Sequence, residues 1–294
     1  MPGDTRIHRL LAEHGTIIMP GVYDALSARI AARAGFEVLF ISGYSLSASQ
    51  LGLPDFGYLT QTELIQSVQR ICRATERPII VDADTGYGNP LNVLRTVEEL
   101  IRAGAAGMFL EDQRWPKRCG HMRGKRVIPM EDHVQKIRAA VDAREGSDFF
   151  IVARTDARQV AGLDEAIRRS HAYKEAGADA LFIEAPTSVE ELRTMAKELE
   201  PPLVANMLEG GVTPLLNREE LGEIGLQLIV CPLTALYASA RATADILEHL
   251  RSAGTTREQI GSLLEFEKFN SIIDLDAHYS LENRYSAAKE PEHG

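Results

Sequence analysis

The chain has 294 residues, 45% hydrophobic and 25% charged, the proportions of a soluble globular protein with material for a sizeable core. A formal charge of −10, from 42 acidic and 32 basic residues, argues against a general nucleic-acid binder. No apolar run approaches the roughly 20 residues needed to cross a bilayer, so neither nucleic acid nor membrane is an expected partner.

The N-terminal stretch MPGDTRIHRLLAEHG has no signal-peptide apolar region and reads as a short amphipathic helix with Ile7, Leu10 and Leu11 on one side. Eight short apolar runs follow: TIIMPG from Thr16, EVLFISG from Glu37, PIIVDAD from Pro78 and AGMFLED from Ala106, then FFIVART from Phe149, ALFIEAP from Ala180, PLVANM from Pro202 and LQLIVCPL from Leu226. They are continuously apolar rather than alternating, as strands buried on both faces of a parallel sheet are. A segment of helical periodicity follows each, and eight such units in about 250 residues predict a (β/α)8 TIM-type barrel. ARAGFEVLF, IRAGAAGMF and KEAGADALF each set Ala-Gly at a helix end before a strand, where glycine supplies a left-handed cap. A doubly wound open sheet uses the same units, but the count of eight and the lack of a glycine-rich dinucleotide fingerprint favour the barrel.

From about Gly254 the βα alternation stops, and LLEFEKFNSIIDLDAHY reads as part of a helical extension, 255–294, on a single barrel domain spanning 1–294. Such a tail packs on its own barrel or on a neighbouring subunit. Cys72, Cys119 and Cys231 are odd in number and widely spaced, which is neither a disulfide framework nor a zinc pattern; a reducing cytoplasm is the expected setting.

In a βα barrel the chemistry gathers at the C-terminal ends of the strands. Those ends carry Ser42 and Gly43, Asp82 and Asp84, Glu111 and Asp112, Arg154 and Asp156, Glu184, and Asn206. Asp82 and Asp84 are two apart, so an extended strand would project both to one face, with Glu111 close by on the next strand. Three converging carboxylates repel unless a hard divalent ion lies between them, and Mg²⁺ (with Mn²⁺ as a substitute) is the natural candidate. One such Asp alone would more simply cap the following helix; DAD and LED together favour metal.

EDQRWPKRCGHMRGKR, at 111–126, crowds six Lys and Arg residues around Cys119 and His121. Lys117, Arg118 and His121 beside the thiol would lower its pKa, and Gly120 and Gly124 would let the segment hinge as a lid. The alternative is a solvated basic loop with an incidental cysteine. Cys72 and Cys231 read as packing residues, and Trp115 as a packing anchor at the base of the lid. DTGYGNP and NMLEGG read as tight turns that also offer backbone N–H groups to an anion. His8, His14, His133, His171, His249, His278 and His293 show no ligand spacing and read as surface or helix positions.

KRCGH after LEDQ, with DAD upstream, resembles the isocitrate lyase and phosphoenolpyruvate mutase superfamily. The resemblance runs along nearly the whole chain, through PGVYDALSA, SGYSLSAS, LGLPDFG, DADTGYGN, ARTDAR, IEAP and NMLEGG. It is greatest to methylisocitrate lyase, 2,3-dimethylmalate lyase and carboxyphosphonoenolpyruvate phosphonomutase. It implies a homotetramer, a dimer of dimers with the last helix swapped between subunits, and Mg²⁺ held near Asp82, Asp84 and Glu111, partly through water. It also implies a 2-hydroxy or 2-oxo carboxylate contacted by Ser42, Gly43, Asp55, Lys117, Gly120, His121 and Asn206. By the same matching Arg154 and Glu184 face the bond being broken, and Cys119 is the lid's catalytic acid or base. The implied reaction is C–C cleavage of a substituted 2-hydroxy dicarboxylate to pyruvate and a carboxylic acid.

Two departures bear on the substrate. Tyr237 stands where lyases of tricarboxylates carry an arginine, and GSLLEFEKFN lacks another arginine of theirs, so a dicarboxylate is expected. Phe40 stands where methylisocitrate lyase has a tyrosine, and Tyr44, which replaces a glycine, is the candidate for the missing hydroxyl. Phosphonomutase chemistry and oxaloacetate decarboxylation or hydrolysis are the competing activities.

Overall fold

The computed structural model describes residues 4–122 and 124–286; His293 lies outside them. All eight expected strands form: β1 Ile17–Val22, β2 Leu39–Ile41, β3 Ile79–Asp82, β4 Gly107–Glu111, β5 Phe150–Thr155, β6 Ala180–Ile183, β7 Val204–Asn206 and β8 Leu228–Cys231. They pair in parallel in the order β6-β5-β4-β3-β2-β1-β8-β7. A parallel bridge between Leu181 and Leu203 brings β6 to β7, giving a nearly closed (β/α)8 barrel rather than an open sheet.

Helix α1, Arg6–His14, precedes the barrel; its N-cap Thr5 accepts from the His8 backbone N–H. Helices then follow the strands: α2 Ala25–Arg33, α3 Gly43–Leu46, α4 Gln61–Cys72, α5 Pro90–Ala103 and α6 Met130–Ala143. The series continues with α7 Ala157–Ala161, α8 Leu163–Glu175, α9 Val189–Glu198, α10 Arg218–Ile224 and α11 Thr234–Ala253. Gly35, Gly104 and Gly177, the glycines of the three Ala-Gly repeats, have φ of 93°, 93° and 104°, the left-handed reversal the sequence calls for.

The strands divide their side chains between two cores with period two. Ile79, Val81, Met108, Leu110, Ile151 and Ala153 pack outward into the layer beneath the helices. Ile80, Phe109, Phe150, Val152, Phe182, Val204 and Val230 pack in a second cluster inside the barrel. Ile7 of α1 belongs to that interior cluster and is fully buried, with Leu10 and Leu11 beside it.

The chain divides into two compact units, Met1–Ala238 and Ser239–Gly294. Beyond α11 the second unit contains a 3-10 turn, Arg257–Ser262, then α12 Phe266–Ile272 and α13 Leu275–Tyr285. No residue of α11, α12 or α13 is buried, and Leu247, Leu264, Phe266 and Leu281 are exposed. No helix among the described residues is long and apolar enough to cross a membrane.

Candidate active site

The inward columns of the barrel change character at their C-terminal ends. Phe40 leads to Ser42, Ile80 to Asp82, Phe109 to Glu111, Val152 to Arg154, Phe182 to Glu184 and Val204 to Asn206, each polar residue two beyond an interior apolar one. Strand geometry therefore aims these polar groups at one place. There they border one cavity, together with Tyr44, Asp55, Lys117, Arg118, Cys119 and Gly120. Gly43, Asp84 and His121 stand just behind this lining. The Gly43 N–H donates to Asp82 Oδ2 at 3.4 Å, and Ser42 N-caps α3 by accepting from Ser45 N–H.

Arg154 is the centre of the electrostatics. Its Nε lies 3.3 Å from Glu111 Oε2 and its Nη2 3.2 Å from Glu184 Oε2. Phe182 supports the guanidinium from one face at 5.4 Å. Burial alone would raise the Glu184 pKa, but Arg154 and His121 hold the carboxyl well below the usual range. Asn206 Nδ2 donates to both Glu184 oxygens, at 3.2 and 3.4 Å. The Val212 N–H donates to His121 Nδ1 at 3.1 Å, which leaves the ring proton on Nε2, 3.2 Å from Glu184 Oε1.

The geometry of the three acids differs from the expected strand alignment. β3 ends at Asp82, and Asp84 has φ of 49°, so it is not extended and shares a face with Asp82 for another reason. The turn carries the Asp84 N–H back to within 3.3 Å of Asp82 Oδ1. Nor do the acids stand without cations. Lys117 Nζ lies 2.6 Å from both Asp84 Oδ1 and Asp55 Oδ1, and Arg154 pairs with Glu111. Burial raises Asp84 to about 7, with Lys117 opposing and Asp82 and Asp55 adding to the rise. Burial also drives Glu111 well upward against the pull of Arg154.

Among the described residues no three His, Cys, Asp or Glu side chains converge closely enough to hold an ion by themselves. The donors nevertheless fit a hard cation with some ligands supplied by water. They are all carboxylate oxygens, and Glu111 Oε1 is buried with no hydrogen-bond partner, as is Asn206 Oδ1.

The basic segment is solvated only in part, with Arg114, Arg118 and Arg126 exposed. Lys117 and Lys125 are buried, and Gly120 packs so closely on Glu184 and Arg154 that a β-carbon there would overlap both. The Cys119 N–H donates to the Asp55 carbonyl at 3.3 Å. The expected lowering of the thiol pKa does not occur. Burial pushes Cys119 up to about 11; Asp55 and Glu184 add to the rise, and the His121 backbone N–H and Arg154 only partly oppose it. Lys117, two residues before Cys119, is already held by two carboxylates. Trp115 packs over Gly57 so closely that a β-carbon there would overlap its ring, and so anchors the segment's base.

DTGYGNP resolves as a turn into α5, where Asn89 caps the Leu91 and Asn92 N–H groups. Of the histidines read as surface or helix positions, His133 lies on α6 but is fully buried against Tyr173, its ring nitrogens without side-chain partners. A network behind the site has no local signature in the sequence. Asp112 accepts from Thr155 Oγ1, Tyr173 OH, Arg169 Nη1 and the Asp156 N–H at 2.7 to 3.0 Å. Inward strand-end acids were legible; their partners, 40 to 60 residues away, carried no local signal.

A family model described as phosphoenolpyruvate phosphomutase matches residues 7–251. The chain belongs to that family. It is 56% identical over 96% of its length to the chloroplastic carboxyvinyl-carboxyphosphonate phosphorylmutase of Arabidopsis thaliana, covering 84% of that protein. It is 42% identical over 97% of its length to 2,3-dimethylmalate lyase of Eubacterium barkeri, covering 98% of it. Among solved structures, oxaloacetate acetylhydrolase in complex with 3,3-difluorooxalacetate superposes with a TM-score of 0.90 at 35% identity, covering 98% of this chain and 99% of that one. Phosphonopyruvate hydrolase in complex with oxalate and Mg²⁺ superposes at 0.84 and 28% identity, covering 92% and 94%. The relatives are lyases and mutases, and this family member is an enzyme of the same superfamily.

Proposed function

We propose that the chain is a Mg²⁺-dependent carbon–carbon lyase that cleaves a substituted 2-hydroxy dicarboxylate of the 2,3-dimethylmalate type to pyruvate and a carboxylic acid. One arrangement carries this reading: a protonated thiol, Cys119, borders the same cavity as the Asp82 and Glu111 carboxylates and the Arg154–Glu184 pair. Asp82, Asp84 and Glu111 would hold the cation, directly or through water, and when bound it supplies charge stabilisation for the substrate's hydroxyl oxygen as that oxygen loses its proton.

The remaining steps belong to the side chains. Tyr44, which lines the cavity and is hydrogen-bonded to Tyr237, is assigned the relay of the hydroxyl proton: its phenolic oxygen accepts that proton as its own O–H proton passes to cavity water, from which the Cys119 thiolate is reprotonated after the products leave. The C2–C3 bond then breaks, its electrons passing to the leaving carboxylate fragment as an enolate. Arg154 offsets the charge developing there, and Glu184 and Asn206 hold the guanidinium and His121 in place. The Cys119 S–H, kept protonated by burial, delivers its proton to the carbanion carbon. Ser42, Gly43, Asp55, Lys117, Gly120 and His121 frame the substrate.

The wall at the end of β8 is apolar, made by Val230, Pro232 and Leu233 with Tyr237 nearby. Among the described residues the cations lining the cavity are Lys117, Arg118 and Arg154, none of them from β8 or the turn after it, which supports a dicarboxylate with an alkyl substituent against this wall. The test is pyruvate release from 2,3-dimethylmalate and methylisocitrate with Mg²⁺. A clear preference for the dicarboxylate is expected, and a clear preference for methylisocitrate refutes the assignment.

The 56% identity to the plant phosphorylmutase supports a second reading, P–C bond formation from a carboxyphosphonoenolpyruvate. Phosphorus NMR of the product separates the two, because only that reaction yields a P–C resonance.

The homotetramer is also a proposal. The exposed apolar residues of the second unit, Leu264, Phe266 and Leu281 among them, are suited to burial against another copy.

A further inference from the structure

Two residues that do not border the cavity tie together two that do. Asp156 and Lys125 are both fully buried as side chains, with Lys125 Nζ 2.7 Å from Asp156 Oδ1. The same carboxylate accepts from Arg154 Nε at 2.9 Å and from Arg154 Nη2 at 3.2 Å. Lys125 Nζ also donates to the carbonyl oxygen of Gly120, the residue after Cys119. Asp156 is itself fixed from behind, its N–H donating to Asp112 Oδ1 at 2.9 Å. One carboxylate therefore holds a cation of the Cys119 segment and the guanidinium at the reaction centre.

A buried ion pair is weak evidence for stability, since apolar replacements of equal volume are often neutral. Its placement says more. With Lys125 present, Asp156 shares its charge between two cations, and Arg154 keeps more of its own for Glu111, Glu184 and an incoming anion. With Lys125 absent, Asp156 would hold Arg154 alone, and the Gly120 carbonyl would lose the donor that seats it above Glu184.

We infer that Asp156 and Lys125 are positioning residues, a joint that sets the Cys119–Gly120 backbone and the Arg154 guanidinium in register with each other. This rests on the lyase reading for its kinetic consequence but not for its structural one. The expected loss is of rate rather than affinity, because a displacement of about 1 Å between reacting groups costs about 100-fold.

The experiment uses the full-length protein with Mg²⁺ and the variants Lys125→Met, Lys125→Gln and Lys125→Arg, with folding checked by thermal unfolding. Two readouts are taken: the alkylation rate of Cys119 by iodoacetamide, mapped by peptide mass, and kcat and KM for pyruvate release. In Lys125→Met or Lys125→Gln, alkylation about 10-fold faster is expected, with kcat about 100-fold lower and KM within about 3-fold. Lys125→Arg, which keeps the charge, is expected to restore part of both. An unchanged alkylation rate in both neutral variants overturns the joint, and so does faster alkylation with unchanged kcat. If the wild-type protein releases no pyruvate from any substituted malate, the lyase reading falls, and alkylation alone then decides the joint.

Discussion

Gly120 sits against Glu184 with no space for a β-carbon between them, and Arg154 closes the same gap from the other side. The contact places the Cys119 segment directly over the Arg154–Glu184 pair. Gly120→Ala is therefore expected to displace the segment by a fraction of an ångström to an ångström and lower kcat by about 100-fold, with a small effect on overall stability. Steady-state kinetics beside thermal unfolding measures both; an alanine variant with full turnover would show that the contact is not needed for reaction.

The β8 wall leads to a gain-of-function expectation. Tyr237→Arg introduces a cation beside Val230, Pro232 and Leu233, the lining residues of β8 and the turn after it. The ratio of kcat/KM for methylisocitrate over 2,3-dimethylmalate should rise by about 10-fold or more, the scale of one added charge-assisted hydrogen bond. An unchanged ratio would remove Tyr237 from the determinants of substrate choice.

His133 adds to the acid sensitivity of the barrel. Burial, with Lys136 and Arg169 adding to it, depresses its pKa from 6.5 to about 3. The unfolded chain takes up a proton near pH 6.5 while the folded chain does not, so this neutral histidine contributes stability above that pH. The contribution is lost on acidification between pH 6.5 and 3, by up to about 1.4 kcal/mol per pH unit. His133→Phe is expected to flatten the fall in Tm between pH 6.5 and 4.5, and a fall as steep as in the wild-type protein would contradict the assignment.

The second unit governs assembly in the proposed tetramer. Phe266 is 80% exposed and Leu264 54% exposed. Replacing both with Asp should convert the tetramer to smaller species in light scattering after size-exclusion chromatography. A wild-type protein that runs as a monomer would dismiss the proposal outright.

Much of this arrangement is legible in the sequence because of one regularity. Each strand places an apolar residue inside the barrel, and the residue two positions later emerges at the open end, as with Phe109 and Glu111 or Phe182 and Glu184. Counting by two from the apolar run finds the site. The rule stops where the strand stops. Asp84 lies past the end of β3 with a left-handed φ, and its closeness to Asp82 depends on the turn. The basic segment misled for a different reason. Its lysines count as free charge in the sequence, yet Lys117 is neutralised by Asp55 and Asp84, and Lys125 by Asp156, from other βα units. Long-range pairing of long side chains leaves no periodic trace, so the thiol's actual environment, partly buried and beside acids, was hidden.

In the proposed lyase reaction the Cys119 thiol protonates the carbon released by C–C cleavage. The most direct test of this step is pyruvate release from 2,3-dimethylmalate with Mg²⁺ by the wild-type protein and by Cys119→Ser, alongside oxalate binding to both by calorimetry. Equal oxalate affinity is expected, with a loss of turnover of about 1,000-fold or more in the serine variant, because a hydroxyl is a far weaker acid than a thiol. Turnover near the wild-type rate in Cys119→Ser would contradict it.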